Sequence, residues 1–245
     1  VLSTLAHILV SEGFLAYDVP VAHYWPEFAQ NGKAQITLRH MLSHQSGLYD
    51  IRNLIADASE MTDWNHMLNV FAQAKPRFAA ATDAAYQPLT FGWQVGGVLE
   101  KATGKALSAL MQQYLVQPLQ LDGAYFGVTA AELARVARPL PKVKTASNQL
   151  SPVKSKPKKA SPLDKLIEWS GQDPKDFQDA MIPKGMKNFS FLSDEGLKAV
   201  IPAANGVFTA NSLAKIYAML ANEGKVGDQQ LIRPEIFTAL STIQY

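Results

Sequence analysis

The stretch Ala85–Trp93, with the helix it opens, constrains this chain more than any other. A polar loop that includes Thr82 and Asp83 delivers Tyr86 to the point where a helix is expected to begin. Pro88 suits the first turn of that helix, because its missing N–H would have had no partner there. Gly104, after Thr103, suits its end. Tyr86 would then sit at the positive end of a helix dipole, which favours negative charge on its oxygen. That is a fitting place for a general base. It is equally a fitting place for an ordinary tyrosine at the edge of a core.

A chain of 245 residues can bury a proper core as one large domain or two small ones. Its apolar share of 47% and charged share of 18% describe a soluble globular protein. A net charge of +2 gives no general case for nucleic acid or for an anionic membrane. With no cysteine, thiol nucleophiles, disulfides and cysteine-ligated metal are excluded. The same absence fits a reducing, cytoplasmic setting, although exported proteins, periplasmic ones among them, also lack cysteine. No apolar run has the roughly 18–20 residues needed to cross a bilayer. The chain opens on Val1–Val10, already an amphipathic helix without a start signal, so residues upstream are expected.

Periodicity predicts a helix over residues 1–12 with Leu2, Leu5, Ile8 and Leu9 on one face, closed by Gly13. A second helix is expected after Thr37 as N-cap, with Leu38, Met41 and Leu42 buried and Gly47 ending it. Residues 50–75 read as helical, and Leu107–Val116 as a further helix ending at Pro118. Leu163–Ser170 and Lys175–Met181 also read as helices. Near the end, a turn and strand through Asn205–Thr209 lead to a helix over Leu213–Asn222 with Leu213, Ile216, Tyr217 and Leu220 inward. A last short helix begins near Pro234. Residues 139–162 differ in texture, with six lysines, five prolines and no acid, which predicts a mobile insertion. It reads either as a solvated excursion or as a binding tail for polyanions.

His40 and His44 are four apart, as in a zinc pair, but Met41 stands where H-E-x-x-H needs glutamate. Metal is therefore not expected, and hydrogen-bonded structural histidines are. Ser46-Gly47 lacks the first glycine of a nucleophile elbow. No P-loop or G-x-G-x-x-G occurs, so no nucleotide cofactor is implied. Gly92 and Gly96 would let another helix approach closely. Three stretches match S-x-x-K: Ser151–Lys154 and Ser155–Lys158 lie in the Pro/Lys-rich insertion, and Ser212 is better explained as part of a helix cap before Lys215.

Taken together, four stretches resemble the serine β-lactamase and penicillin-binding-protein superfamily, most closely its class C-like carboxylesterase branch. Ile8–Leu15 with Asp18-Val19-Pro20-Val21 and Trp25–Phe28 is similar to the family's opening helix and the run after it. Ile36–Leu48 resembles its "ITLRHLLSHTSGL" run. Tyr86–Gly104 is similar to its tyrosine loop and following helix, and Ala203–Leu220 to its "N-G-x-x-T-A" turn and helix. The resemblance implies an α+β, β-lactamase/transpeptidase-like fold. Residues 1–245 would form part of one such domain, predominantly helical.

The resemblance further implies a serine hydrolase without metal or cofactor, acting through an acyl-enzyme on a small ester or lactam. In that family a serine in S-x-x-K is acylated while its lysine and the loop tyrosine move the proton. By this registration S-x-x-K precedes Val1 and the K-T-G or H-x-G strand follows Tyr245. Tyr86 is carried over as the catalytic base and later acid, and Asn205 and Gly206 as residues lining the substrate pocket. β-Lactamases and transpeptidases usually carry asparagine two residues after the tyrosine, where this chain has Pro88. That departure favours esters. The alternatives are β-lactamase or D,D-peptidase activity, or a non-catalytic relative that uses the pocket for binding.

Overall fold

The computed structural model describes residues 1–139 and 174–243. Most of the insertion expected over 139–162, and the helix expected over Leu163–Ser170, lie outside the described residues. The first helix, α1 (Leu2–Ser11), forms as its periodicity predicts, and Gly13 at φ 81° follows its end. Two 3-10 turns, Val21–His23 and Pro26–Ala29, then carry Trp25 and Phe28 into the core. Thr37 caps α2 (Leu38–Leu42), and the His40 ring completes a capping box by accepting the Thr37 N–H. This helix stops five residues before Gly47, because His44 turns left-handed at φ 62°.

The span 50–75 is not one helix. It divides into α3 (Ile51–Leu54), a 3-10 turn (Ala58–Thr62) and α4 (Trp64–Gln73). The cause is two aspartates that act as N-caps inside the apolar pattern. Asp57 accepts the Ser59 N–H while Glu60 reaches back to the Asp57 N–H, and Asp63 accepts the His66 N–H.

Around these packs α5 (Thr90–Thr103), with α1, α2 and α4 as neighbours. Nine of its fourteen residues are buried, so it is central rather than amphipathic. Trp93 stacks on Phe71 with ring centroids 6.0 Å apart. A methyl at Gly96 would come within 2.8 Å of the Trp64 ring on α4, which is the close helix approach expected there. At Gly92 the neighbour is instead a loop, where a Cβ would stand 2.9 Å from Ala203 N. Regular helix begins at Thr90, so Pro88 lies in the turn leading in rather than in the first helical turn. The Phe91 N–H still reaches the Gln87 carbonyl across it, at 3.3 Å.

The chain continues through α6 (Leu107–Met111), a π turn (Gln112–Val116) and α7 (Gln117–Leu119), which contains Pro118. Strand β1 (Ala124–Phe126) follows, then, past the undescribed segment, α8 (Pro174–Met181) and α9 (Asp194–Lys198). Strand β2 (Gly206–Phe208) pairs antiparallel with β1, Tyr125 opposite Val207. Thr209 caps α10 (Ala210–Ala221), whose buried stripe is Ser212, Ile216 and Met219. Tyr217, expected inward, is 65% exposed, since it sits about 100° round the helix from Ile216. A hairpin of β3 (Lys225–Val226) and β4 (Gln229–Gln230) precedes α11 (Pro234–Leu240). No helix among the described residues is long and apolar enough to cross a membrane.

One buried cation locks the periphery to this core. Lys33 is fully buried, and its Nζ donates to the carbonyls of Gln30 at 2.9 Å, Ala72 at 3.1 Å, and Ala74. Two of these carbonyls belong to the C-terminal end of α4, where a positive charge meets the negative end of the helix dipole. Burial pushes the lysine pKa down to about 8, so the ammonium persists at neutral pH. Replacing Lys33 by Met leaves buried carbonyls without a donor. The expected loss is about 2 kcal/mol of stability, read from the urea unfolding midpoint.

Candidate active site

Tyr86 is held by the turn His44–Gly47. The segment after Pro76 runs back along that turn, with Arg77 N–H on the Gly47 carbonyl at 2.9 Å and Ala81 N–H on the Gln45 carbonyl at 3.3 Å. Ala85 N–H then meets the His44 carbonyl at 3.0 Å. Gly47 is needed here, since φ is 72° and a Cβ would stand 2.5 Å from the Phe78 carbonyl oxygen.

Directly behind Tyr86 lies a closed polar triad. Ser46 Oγ donates to Gln94 Oε1 at 2.6 Å, Gln87 Nε2 donates to Ser46 Oγ at 2.8 Å, and Gln94 Nε2 donates to Gln87 Oε1 at 3.1 Å. Gln94 Nε2 also reaches the Leu48 carbonyl at 3.0 Å. All three side chains are buried, so turn, tyrosine loop and α5 meet in one hydrogen-bonded knot. The sequence reading missed Gln87 and Gln94. The available signal was an amide at position 94 inside an otherwise apolar helix.

With its backbone fixed, the Tyr86 side chain remains 55% exposed. It is shared by two depressions. One, of about 260 Å³, is lined by Tyr86, His44, Pro88 and Phe91, by Val1–Ser3 at the start of α1, and by Pro202 and Ala203. The other, of about 330 Å³, has Tyr49, Phe78 and Phe177 as aromatic walls, with Asp83 and Asp176 at hand. A larger depression of about 420 Å³ lies between α1, α2 and α11, and Tyr86 is not among its lining residues. There burial pushes His7 down to about 4 and Tyr17 up to about 12, so neither is poised for proton transfer at neutral pH.

The other sequence candidates fall in different places. The Asn205 side chain is turned into the protein, where Nδ2 donates to the Gly196 and Ala199 carbonyls at 2.7 and 2.6 Å. Its Oδ1 accepts the Ile201 N–H at 3.1 Å, so its polar atoms are spent on the loop that presents Pro202 and Ala203. Gly206 is exposed and starts β2. Neither residue lines the cleft between Tyr86 and α1, where that loop contributes Pro202 and Ala203. His40 and His44 do not converge on a common point: the first accepts the Thr37 N–H and the second the Gln87 N–H. Among the described residues no group of three or more acidic or histidine side chains is placed to hold a metal ion. Ser212 accepts a hydrogen bond from the Thr209 hydroxyl, and Lys215 Nζ donates instead to the Gln120 carbonyl.

Burial pushes the His44 pKa down, which keeps the ring neutral at pH 7. Its Nδ1 accepts the Gln87 N–H at 3.3 Å, so the ring proton is on Nε2. The triad beside it makes a direct expectation. Ser46→Ala leaves Gln94 Oε1 without its donor and Gln87 Nε2 without its acceptor. Thermal or urea unfolding should report a loss of about 1–3 kcal/mol.

The chain has recognisable relatives. It is 32% identical over 243 residues to the Esterase/beta-lactamase LipL of Mycobacterium tuberculosis, covering 98% of this chain and 52% of that protein. Its structure is similar to a penicillin-binding protein homologue from Caulobacter crescentus, with a TM-score of 0.73 and 28% identity over 100% of this chain and 59% of the other. It is likewise similar to a family VIII carboxylesterase, with a TM-score of 0.75 and 27% identity over 97% of this chain and 57% of the other. The chain thus spans between half and two thirds of the length of these proteins. The architecture is α+β, of the β-lactamase and transpeptidase type. A sequence model of the family described as Beta-lactamase matches residues 1–242, and the chain belongs to that family.

Proposed function

We propose that this chain is part of a serine hydrolase of carboxylesterase type, in which Tyr86 moves the proton of the attacking serine hydroxyl. One observation carries the reading. The exposed Tyr86 phenol and the first turn of α1 line the same cleft. In the family that the sequence resembles, the S-x-x-K serine and lysine directly precede this helix. A serine so placed would face Tyr86 across that cleft.

The steps follow from acyl-transfer chemistry. The serine oxygen adds to the ester carbonyl carbon, and its proton passes to the tyrosine oxygen with help from the S-x-x-K lysine. The tetrahedral intermediate collapses, the bond to the alcohol oxygen breaks, and the same proton goes to the leaving group. Water then attacks the acyl-serine by the same proton path, releasing the acid and the free serine.

Esters are favoured over lactams by Pro88, which lines the cleft where many relatives present an amide side chain to the substrate. Among the similar proteins, one is called an esterase/β-lactamase, another a carboxylesterase and a third a penicillin-binding protein homologue. The test uses the full-length protein. A serine-directed fluorophosphonate should label it, and Tyr86→Phe should lower kcat/KM for p-nitrophenyl butyrate by about a hundredfold or more with the Tm unchanged. A chromogenic cephalosporin should be turned over more slowly than the ester. Wild-type ester hydrolysis by Tyr86→Phe would remove the role given to Tyr86, and absence of labelling would favour a non-catalytic binding protein.

A further inference from the structure

We infer that His44 is the positioning residue for Tyr86, holding the backbone on both sides of it through its own carbonyl and its own ring nitrogen. The inference rests on the reading of Tyr86 as the proton-transfer group. The His44 carbonyl accepts the Ala85 N–H at 3.0 Å, and His44 Nδ1 accepts the Gln87 N–H at 3.3 Å. The ring also meets the Tyr86 ring edge to face, with centroids 5.1 Å apart at 71°, and meets Phe91 at 5.5 Å. One residue therefore contacts the tyrosine before, at and after its position.

The backbone conformation of His44 is part of this arrangement. At φ 62° it lies in the left-handed region, which is strained for a non-glycine residue. In that conformation one residue reaches two N–H groups that are two positions apart on the tyrosine loop. The Ser46–Gln87–Gln94 triad anchors the loop from inside the protein, through the Gln87 side chain. His44 acts from the cleft side, where it is itself a lining residue. Packing alone would be served by any aromatic ring. The Nδ1 acceptor is what phenylalanine lacks, and a displacement of about 1 Å at a reacting group can slow an enzyme about a hundredfold.

Three variants of the full-length protein separate these roles. His44→Phe keeps the ring and removes the acceptor. His44→Gly removes both while relieving the left-handed strain, so it covers the case in which His44→Phe does not fold. His44→Asn keeps an acceptor on the same side-chain atom position and tolerates positive φ. With p-nitrophenyl butyrate, His44→Phe and His44→Gly should lose about ten- to a hundredfold in kcat, with KM within about twofold of wild type. His44→Asn should stay within about threefold of wild type in kcat. The double variant His44→Phe/Tyr86→Phe should be no slower than Tyr86→Phe alone, because His44 acts through Tyr86. A wild-type kcat in folded His44→Phe or His44→Gly overturns the inference. So does a fully additive loss in the double variant, or a His44→Asn rate as low as that of His44→Phe. Tyr86→Phe at the wild-type rate overturns the reading of Tyr86 and the positioning with it. An inactive Tyr86→Phe beside a fully active His44→Phe overturns the positioning alone.

Discussion

The arrangement around Tyr86 depends on the buried triad of Ser46, Gln87 and Gln94. Burying two amides and a hydroxyl is unfavourable unless each finds its partners. Here they find one another, with the Leu48 carbonyl taking a further amide hydrogen. The three residues come from a turn, a loop and a helix that are separated in sequence. A closed polar ring of this kind fits in one relative placement of those elements, which apolar contacts alone would specify less sharply. The apolar part is supplied by α5, whose Trp93 and Val95 pack on either side of Gln94 in sequence and are themselves fully buried.

This division explains why the polar residues nearest the cleft are not interchangeable candidates for chemistry. Asn205 carries the side chain a substrate-binding residue would need, yet its amide is used to close the loop from Gly196 to Ile201. The loop so closed presses Pro202 and Ala203 against Gly92, which brings an apolar wall to the cleft. Tyr86 is the reverse case: its neighbours are pinned, while its own phenol stays exposed. A side chain free to meet a ligand on a backbone that cannot move is what proton transfer requires.

The first helix was legible from its apolar spacing, and α5 from the proline before it and Gly104 at its end. The interruptions of helices were less so. Asp57 and Asp63 split the 50–75 span through local hydrogen bonds that hydropathy does not register. The β3–β4 hairpin, two residues per strand, is too short to carry an alternating pattern. Tyr217 was placed inward on apolar character, whereas the small Ser212 takes the buried face because its hydroxyl is satisfied by Thr209. That a loop brings Tyr86 to the approach of a helix was legible in the sequence. The partners that fix it were not, since Gln87 and Gln94 become a pair only once turn and helix are folded together.

Pro88 joins the two themes. It cannot donate a backbone hydrogen bond, and it occupies the turn that leads from the pinned Gln87 into α5. The Phe91 N–H spans it to the Gln87 carbonyl, so the turn closes without the N–H that proline lacks. In the proposed reading, an asparagine in the same place would offer the substrate an amide. A residue that stiffens the entry to the helix therefore also removes a polar contact from the cleft. The wall of the cleft there is then mainly the apolar surfaces of Pro88, Phe91 and Pro202, and it is on this surface that the proposed preference for esters rests.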